Sequence, residues 1–235
     1  MADSVYSAAL GIRDSRVSHA PRHSLVVRIT HWTGTLSFVA LVISGFGIIL
    51  SHPRFYWGET GGVGTPSLFD LPLPFMLGGP SGWGRYLHFQ TAWVWVANLV
   101  IYVVSGMASR HFQNDLLPAK GASEWRRHLR FERPRPEEAH RYNVVQRITY
   151  LAVIFGLFPL LIWTGLAMSP ALTSVWPWLV TMLGGHQSAR TIHFFAAVAL
   201  TLFVVVHVVM VWRAGFRQRV GAMITGNVGD MKEDA

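Results

Sequence analysis

The sequence predicts an all-α integral membrane protein built as a bundle of four transmembrane helices, and three observations carry that expectation. Of 235 residues, 51% are apolar and only 14% are charged, against roughly a quarter charged in an ordinary soluble domain. The charge that is present falls in blocks, and no Asp, Glu, Lys or Arg occurs in 29–53, 86–109, 148–189 or 191–212. Each of these runs is long enough to cross a hydrocarbon core of about 30 Å, for which around 20 helical residues suffice. Lys and Arg also gather on alternate connections, as they do where a chain threads a bilayer.

Taken in order, the first span is expected over 27–50 and the second over 85–109. The run 148–189 is about twice what one crossing needs, and Pro170 divides it. A third span at 145–169 then bends near Pro159. The stretch from Ala171 to Gly185, with Trp176, Pro177 and Trp178, lies at the interface, where Trp is favoured. The fourth span covers 189–213. Residues 1–235 thus form a single membrane domain, with outer connections at 51–84 and 170–188 and a cytoplasmic loop at 110–144.

Orientation follows from the basic residues. Of twenty Lys and Arg, only Arg54, Arg85 and Arg190 fall on the side of the two outer connections, and the other seventeen lie in the N-terminal segment, the central loop and the tail. The positive-inside rule makes that richer side the cytoplasm. The first 24 residues are polar, and the span that follows is too long for the core of a signal peptide. Both termini of this multi-pass membrane protein are therefore expected in the cytoplasm. The net charge of +8 marks topology and reads against a nucleic-acid partner. The first outer connection, rich in Gly, Pro and aromatics, either docks a partner or folds onto the helix ends.

The chain has no cysteine, which excludes disulfides, thiolate metal sites and covalent haem attachment. Histidine remains, and an ionisable residue inside a span is a functional candidate by default. His31 and His207 lie near the inner ends of the first and fourth spans. His88 and His193 lie near the outer ends of the second and fourth. Along the fourth span His193 and His207 are fourteen residues apart, which places them about 21 Å apart and roughly 40° apart in direction. One helix face therefore offers two stacked imidazoles, each with a counterpart at its own depth on another helix. Opposed neutral imidazoles suit the two axial positions of a b-type haem, so a di-haem bundle is expected, with iron held by His88 and His193 in an outer pair and by His31 and His207 in an inner one. Gly34, Gly45 and Gly106 either admit a flat macrocycle or let helices pack closely. Met107, Met168 and Met210 are weaker candidates, since Met more often fills core gaps.

These segments resemble a known family. RITHW at 28–32, GRYLH at 84–88, RYNVVQR at 141–147, RTIH at 190–193 with a second His fourteen residues on, and AMITGNV at 222–228 are similar to the bacterial cytochrome b561 superfamily. That superfamily includes the cytochrome b subunits of nickel–iron hydrogenases and the gamma subunits of formate dehydrogenases. HPRFYWG at 52–58 and WTGLAMSP at 163–170 look like its thiosulfate-reductase-type branch. The resemblance implies a four-helix protein with two b-type haems. It would pass electrons between an extracytoplasmic oxidoreductase, of molybdopterin type, and the membrane quinone pool. It also implies the same four histidines as ligands, and a quinone near Asn143, with Gln146 and Arg147 on the same turn. An amide at a span end equally suits helix capping. Arg85 and Arg190, one turn from the outer ligands, suit haem propionates or the headgroup layer.

Two rival classes are weaker. A His-lined transporter of metal ions or protons lacks the intramembrane Asp or Glu that cation carriers commonly use, and a cofactor-free membrane anchor leaves four depth-matched histidines without a use. In either electron-transfer direction the chain is a subunit and not a stand-alone enzyme.

Overall fold

The computed structural model describes residues 24–62, 64–73, 82–110, 149–213 and 215–226. Among the described residues, four helices are long and apolar enough to cross a membrane: α1 (Leu25–Ser51), α2 (Gly82–Ala108), α3 (Thr149–Ala167) and α6 (His186–Arg213). Two short helices, α4 (Pro170–Thr173) and α5 (Trp178–Thr181), fill the expected interfacial stretch. A further helix, α7 (Phe216–Thr225), follows α6 after Gly215, whose φ of 97° is a conformation glycine adopts without strain. Except for Arg110, the loop 110–144 lies outside the described residues, as do Asn143, Gln146 and Arg147.

Burial in the bundle is inverted relative to a water-soluble core. On α1 the buried positions are Thr30, Ser37, Ser44, Gly47 and Leu50, while Leu36 is 71% exposed; on α6, Leu202 is 61% exposed. Small and hydroxylated residues at helix contacts with large apolar ones facing outward are what lipid selects, since tails solvate Leu and Ile as well as a core does. Three of the buried hydroxyls are satisfied within their own helices: Thr30 donates to Val26 O at 2.8 Å, Ser44 to Ala40 O at 2.6 Å and Thr164 to Leu160 O at 2.7 Å. Asn98 on α2 donates across to Thr30 O at 2.9 Å. A Cβ on Gly34 would lie 3.3 Å from the same amide, so this glycine serves the α1–α2 contact.

All four spans meet in one apolar cluster at mid-depth. Trp95 of α2 meets Phe158 of α3 edge to face, with ring centroids 4.6 Å apart, beside Val153, Leu161, Ala196, Leu200 and Phe38. Just ahead of Pro159, where a bend is expected, the helix carries a π-helical turn over Val153–Leu157. Proline has no N–H, so the regular ladder cannot continue through it; just ahead of it, the Phe158 N–H reaches back to Val153 O.

At the end where α1 stops and α6 begins, two-residue strands β1 (Arg54–Phe55) and β2 (Phe69–Asp70) pair antiparallel, Arg54 opposite Asp70 and Phe55 opposite Phe69. Phe55 is 1% exposed, stacked on Phe69 at 4.8 Å and tilted on Phe194 at 4.5 Å. The Gly58 carbonyl accepts from the N–H groups of Gln187 and Ser188, and the Glu59 carboxylate accepts from that of His186. A helix start leaves such N–H groups without intrahelical partners, so the outer connection caps α6. Of its two expected behaviours, the part from Arg54 to Glu59 folds onto the helix ends. Trp57, at 59% exposed, and Leu68 remain on its surface.

The opposite end is closed by α7. Trp32 Nε1 donates to Met223 O at 3.3 Å, and the Arg28 guanidinium donates to Ile224 O, placing a cation at the C-terminal end of α7, where carbonyls and the helix dipole favour it.

Candidate functional site

His88 lies six residues into α2 and His193 seven into α6, about 9–10 Å below the hairpin end of their helices. Their ring centroids are 6.2 Å apart, with planes inclined at 68°. Two imidazoles bound on opposite sides of one metal, at about 2 Å per bond, have centroids about 6 Å apart. Among the described residues no three of His, Cys, Asp or Glu gather as an ion site. The donor set is therefore a pair of imidazoles, which suits a metal that arrives with its other ligands already supplied, as haem iron does.

Each ring is held by a neighbouring helix. Ser44 Oγ of α1 lies 3.1 Å from His88 Nδ1, and Thr164 Oγ1 of α3 lies 2.8 Å from His193 Nδ1. Both hydroxyl residues are fully buried. The residue after each is a glycine: a Cβ on Gly45 would lie 3.6 Å from His88 Cε1, and one on Gly165 would lie 3.8 Å from His193 Cε1. Backbone thus borders each ring where a longer side chain would press on it.

The second level lies toward the other end. His31 is six residues from the start of α1 and His207 six from the end of α6, again about 9 Å from the helix ends. His31 packs edge to face with Trp32, ring centroids 5.3 Å apart. His207 Nδ1 lies 3.4 Å from the Tyr150 hydroxyl of α3, and the His207 ring stacks near Phe203 at 6.1 Å. The 6.2 Å ring contact between predicted ligands is at the hairpin level, and at this second level Trp32, Tyr150 and Phe203 border the histidines.

The two arginines behave differently. Arg190 donates to Arg54 O at 3.0 Å and to His52 O, and its guanidinium sits 4.8 Å over the Phe55 ring. It clamps the hairpin to α6 with two of its five N–H donors. Arg85 is exposed. Met107 and Met210 are exposed as well, whereas Met168 packs against the buried cluster of Ala167, Leu179, Val180 and Ala189.

Ser44, Thr164 and Tyr150 were not singled out from sequence. The available signal was a hydroxyl inside an otherwise apolar span, but such residues commonly just return a hydrogen bond to their own helix. Only the three-dimensional neighbour distinguishes the two uses.

The sequence model of the prokaryotic cytochrome b561 family matches residues 22–226. Over 192 residues, 80% of this chain and 89% of the relative, the chain is 29% identical to the protein named "Putative protein-methionine-sulfoxide reductase subunit YedZ1" of Azospira oryzae. Over 218 residues, 85% of this chain and 83% of the relative, it is 25% identical to the "Probable Ni/Fe-hydrogenase B-type cytochrome subunit" of Cupriavidus necator. No solved structure matches.

Proposed function

The chain belongs to the prokaryotic cytochrome b561 family, a family of membrane electron-transfer subunits that hold b-type haem, and from that premise we propose a more specific role. It binds two haems, the first between His88 and His193 and the second between His31 and His207. It links an extracytoplasmic oxidoreductase to the quinone pool of the bacterial inner membrane. The reading rests above all on the 6.2 Å approach of His88 and His193, two imidazoles brought from different spans to one depth. Bound haem supplies reversible one-electron iron chemistry. The chain would supply imidazole nitrogens to hold it at two levels about 21 Å apart along α6, with the aromatic cluster of Trp95 and Phe158 between them.

The hairpin end faces outward in this reading, consistent with Arg28 and Arg213 at the other end and with both termini in the cytoplasm. The partner docks on the hairpin end, where Trp57, Leu68 and Trp83 are exposed. That both named relatives are subunits of redox complexes supports a redox enzyme there, and we assign it to the molybdopterin class. Arg85 pairs with haem propionates, as does Arg190 with the donors that the hairpin leaves free. Asn143, Gln146 and Arg147 bind the quinone near the cytoplasmic level. Moving an electron inward opposes a potential negative inside by about 2.3 kcal/mol per 100 mV, so a dehydrogenase partner conserves energy and a reductase partner is driven by the potential.

The test is a reduced-minus-oxidised visible spectrum of the purified chain with haem counted per polypeptide. Two b-type haems are expected; absence of b-type bands would overturn the reading, and one haem would overturn its two-site form. Asn143→Leu is expected to slow quinone-dependent oxidation of the reduced protein by tenfold or more, about 1.4 kcal/mol, while haem content is unchanged. Unaltered quinone kinetics would remove Asn143 from the site.

A further inference from the structure

The two histidines at the hairpin level are held by the same device, used twice. A hydroxyl residue followed by glycine, Ser44–Gly45 on α1 and Thr164–Gly165 on α3, meets one imidazole each. A hydroxyl has one hydrogen to donate and two lone pairs to accept. Ser44 Oγ lies 2.6 Å from Ala40 O and 3.2 Å from Leu41 O. Thr164 Oγ1 lies 2.7 Å from Leu160 O and 3.1 Å from Leu161 O. Carbonyl oxygens cannot donate, so each hydroxyl hydrogen goes to its own helix. Toward the imidazole the hydroxyl oxygen is then left only to accept, which requires a proton on Nδ1 of both His88 and His193.

From this arrangement we infer that Ser44 and Thr164 are positioning residues that fix both histidines as the Nδ1–H tautomer, leaving both Nε2 lone pairs free for iron. The inference rests on the haem reading above and deepens it. An accepted Nδ1–H bond makes a ligating imidazole a stronger donor and fixes its ring orientation. A stronger donor favours the more highly charged ferric iron and lowers the midpoint potential. The same bonds orient the rings, so removing an acceptor raises the potential of that haem and alters its low-spin resonance signature. Each hydroxyl meets one ring only, so a single change has a partial effect and the double change a larger one.

The experiment uses the full chain with its haems in detergent micelles. Ser44→Ala, Thr164→Val and the double variant are compared with the conservative Ser44→Thr and Thr164→Ser by potentiometric titration, electron paramagnetic resonance and haem count. The expected result is an upward shift of one and the same haem in both single variants, larger in the double. The other haem stays unmoved, and wild-type values return with either conservative exchange. Loss of that haem in the Ala and Val variants, with retention in the conservative ones, supports the inference equally. Midpoints and resonance signatures unmoved in the double variant, or loss of the haem in the conservative variants too, would overturn it. A wild-type protein with fewer than two haems would instead overturn the reading on which it rests.

Discussion

Replacing His193 by alanine is expected to remove one of the two proposed b-type haems, and replacing His88 is expected to remove the same one. The two rings are 6.2 Å apart and reach one depth from different helices, so either change leaves a single imidazole where low-spin haem needs two strong axial ligands. The helices themselves should persist. The contact of α3 with α6 runs through Leu161, Ala196 and Leu200 in one cluster and Ala167 with Ala189 in another, none of which uses the ring. Thr164 keeps its bond to Leu160 O, so no buried hydroxyl is orphaned. Haem per chain should fall from about two to about one in both variants, with the surviving haem keeping its own midpoint. His207→Ala and His31→Ala should remove the complementary haem. Loss of different haems from the His88 and His193 variants would show that the two levels are paired wrongly.

The sequence carries the spans unusually clearly, because lipid excludes charge and the uncharged runs delimit the helices almost directly. Depth is equally legible, since counting residues at 1.5 Å each puts His88 beside His193 in height. Which face of α2 meets which face of α6 is not legible, because a period of 3.6 residues says where a side chain points only relative to its own helix. The hydroxyls of Ser44 and Thr164 escape notice for the same reason. Pro159 announces a disturbance but not its form, a π turn preceding it. The strands Arg54–Phe55 and Phe69–Asp70 are too short for any alternation to register. Helix α7 is short and carries Arg217 and Arg219, so hydropathy passes over it. Arg190 shows how one residue type admits two readings: its position one turn from His193 suggests a propionate partner, while its contacts show a clamp on His52, Arg54 and Phe55.

The clamp end supplies the second large effect. Gly185→Ala is expected to detach the outer connection from α6. Gly185 sits at φ +115°, and a Cβ there would lie 2.4 Å from the Gly58 carbonyl carbon and 2.5 Å from its oxygen. Neither partner is a flexible side-chain end, so one backbone must move. Strain of this kind costs about 1–3 kcal/mol by itself. Displacing Gly58 also releases the acceptor of the Gln187 and Ser188 N–H groups and the N–H that donates to Ser188 Oγ at 2.7 Å, at about 1 kcal/mol for each bond lost. The total, about 4–6 kcal/mol, acts locally, and its target is the turn that leads into His193. The variant should therefore lose the hairpin-level haem on heating well before wild type, with the other haem melting as usual. Limited proteolysis should also cut within 51–73 faster than in wild type. Gly62→Ala is the control, in the same connection but with no atom within 4 Å of the added carbon, and it should match wild type in both measurements. If Gly185→Ala melts like that control, the Gly58 contact does not support the histidine level beneath it, and α6 holds His193 in place by its packing against α3 alone.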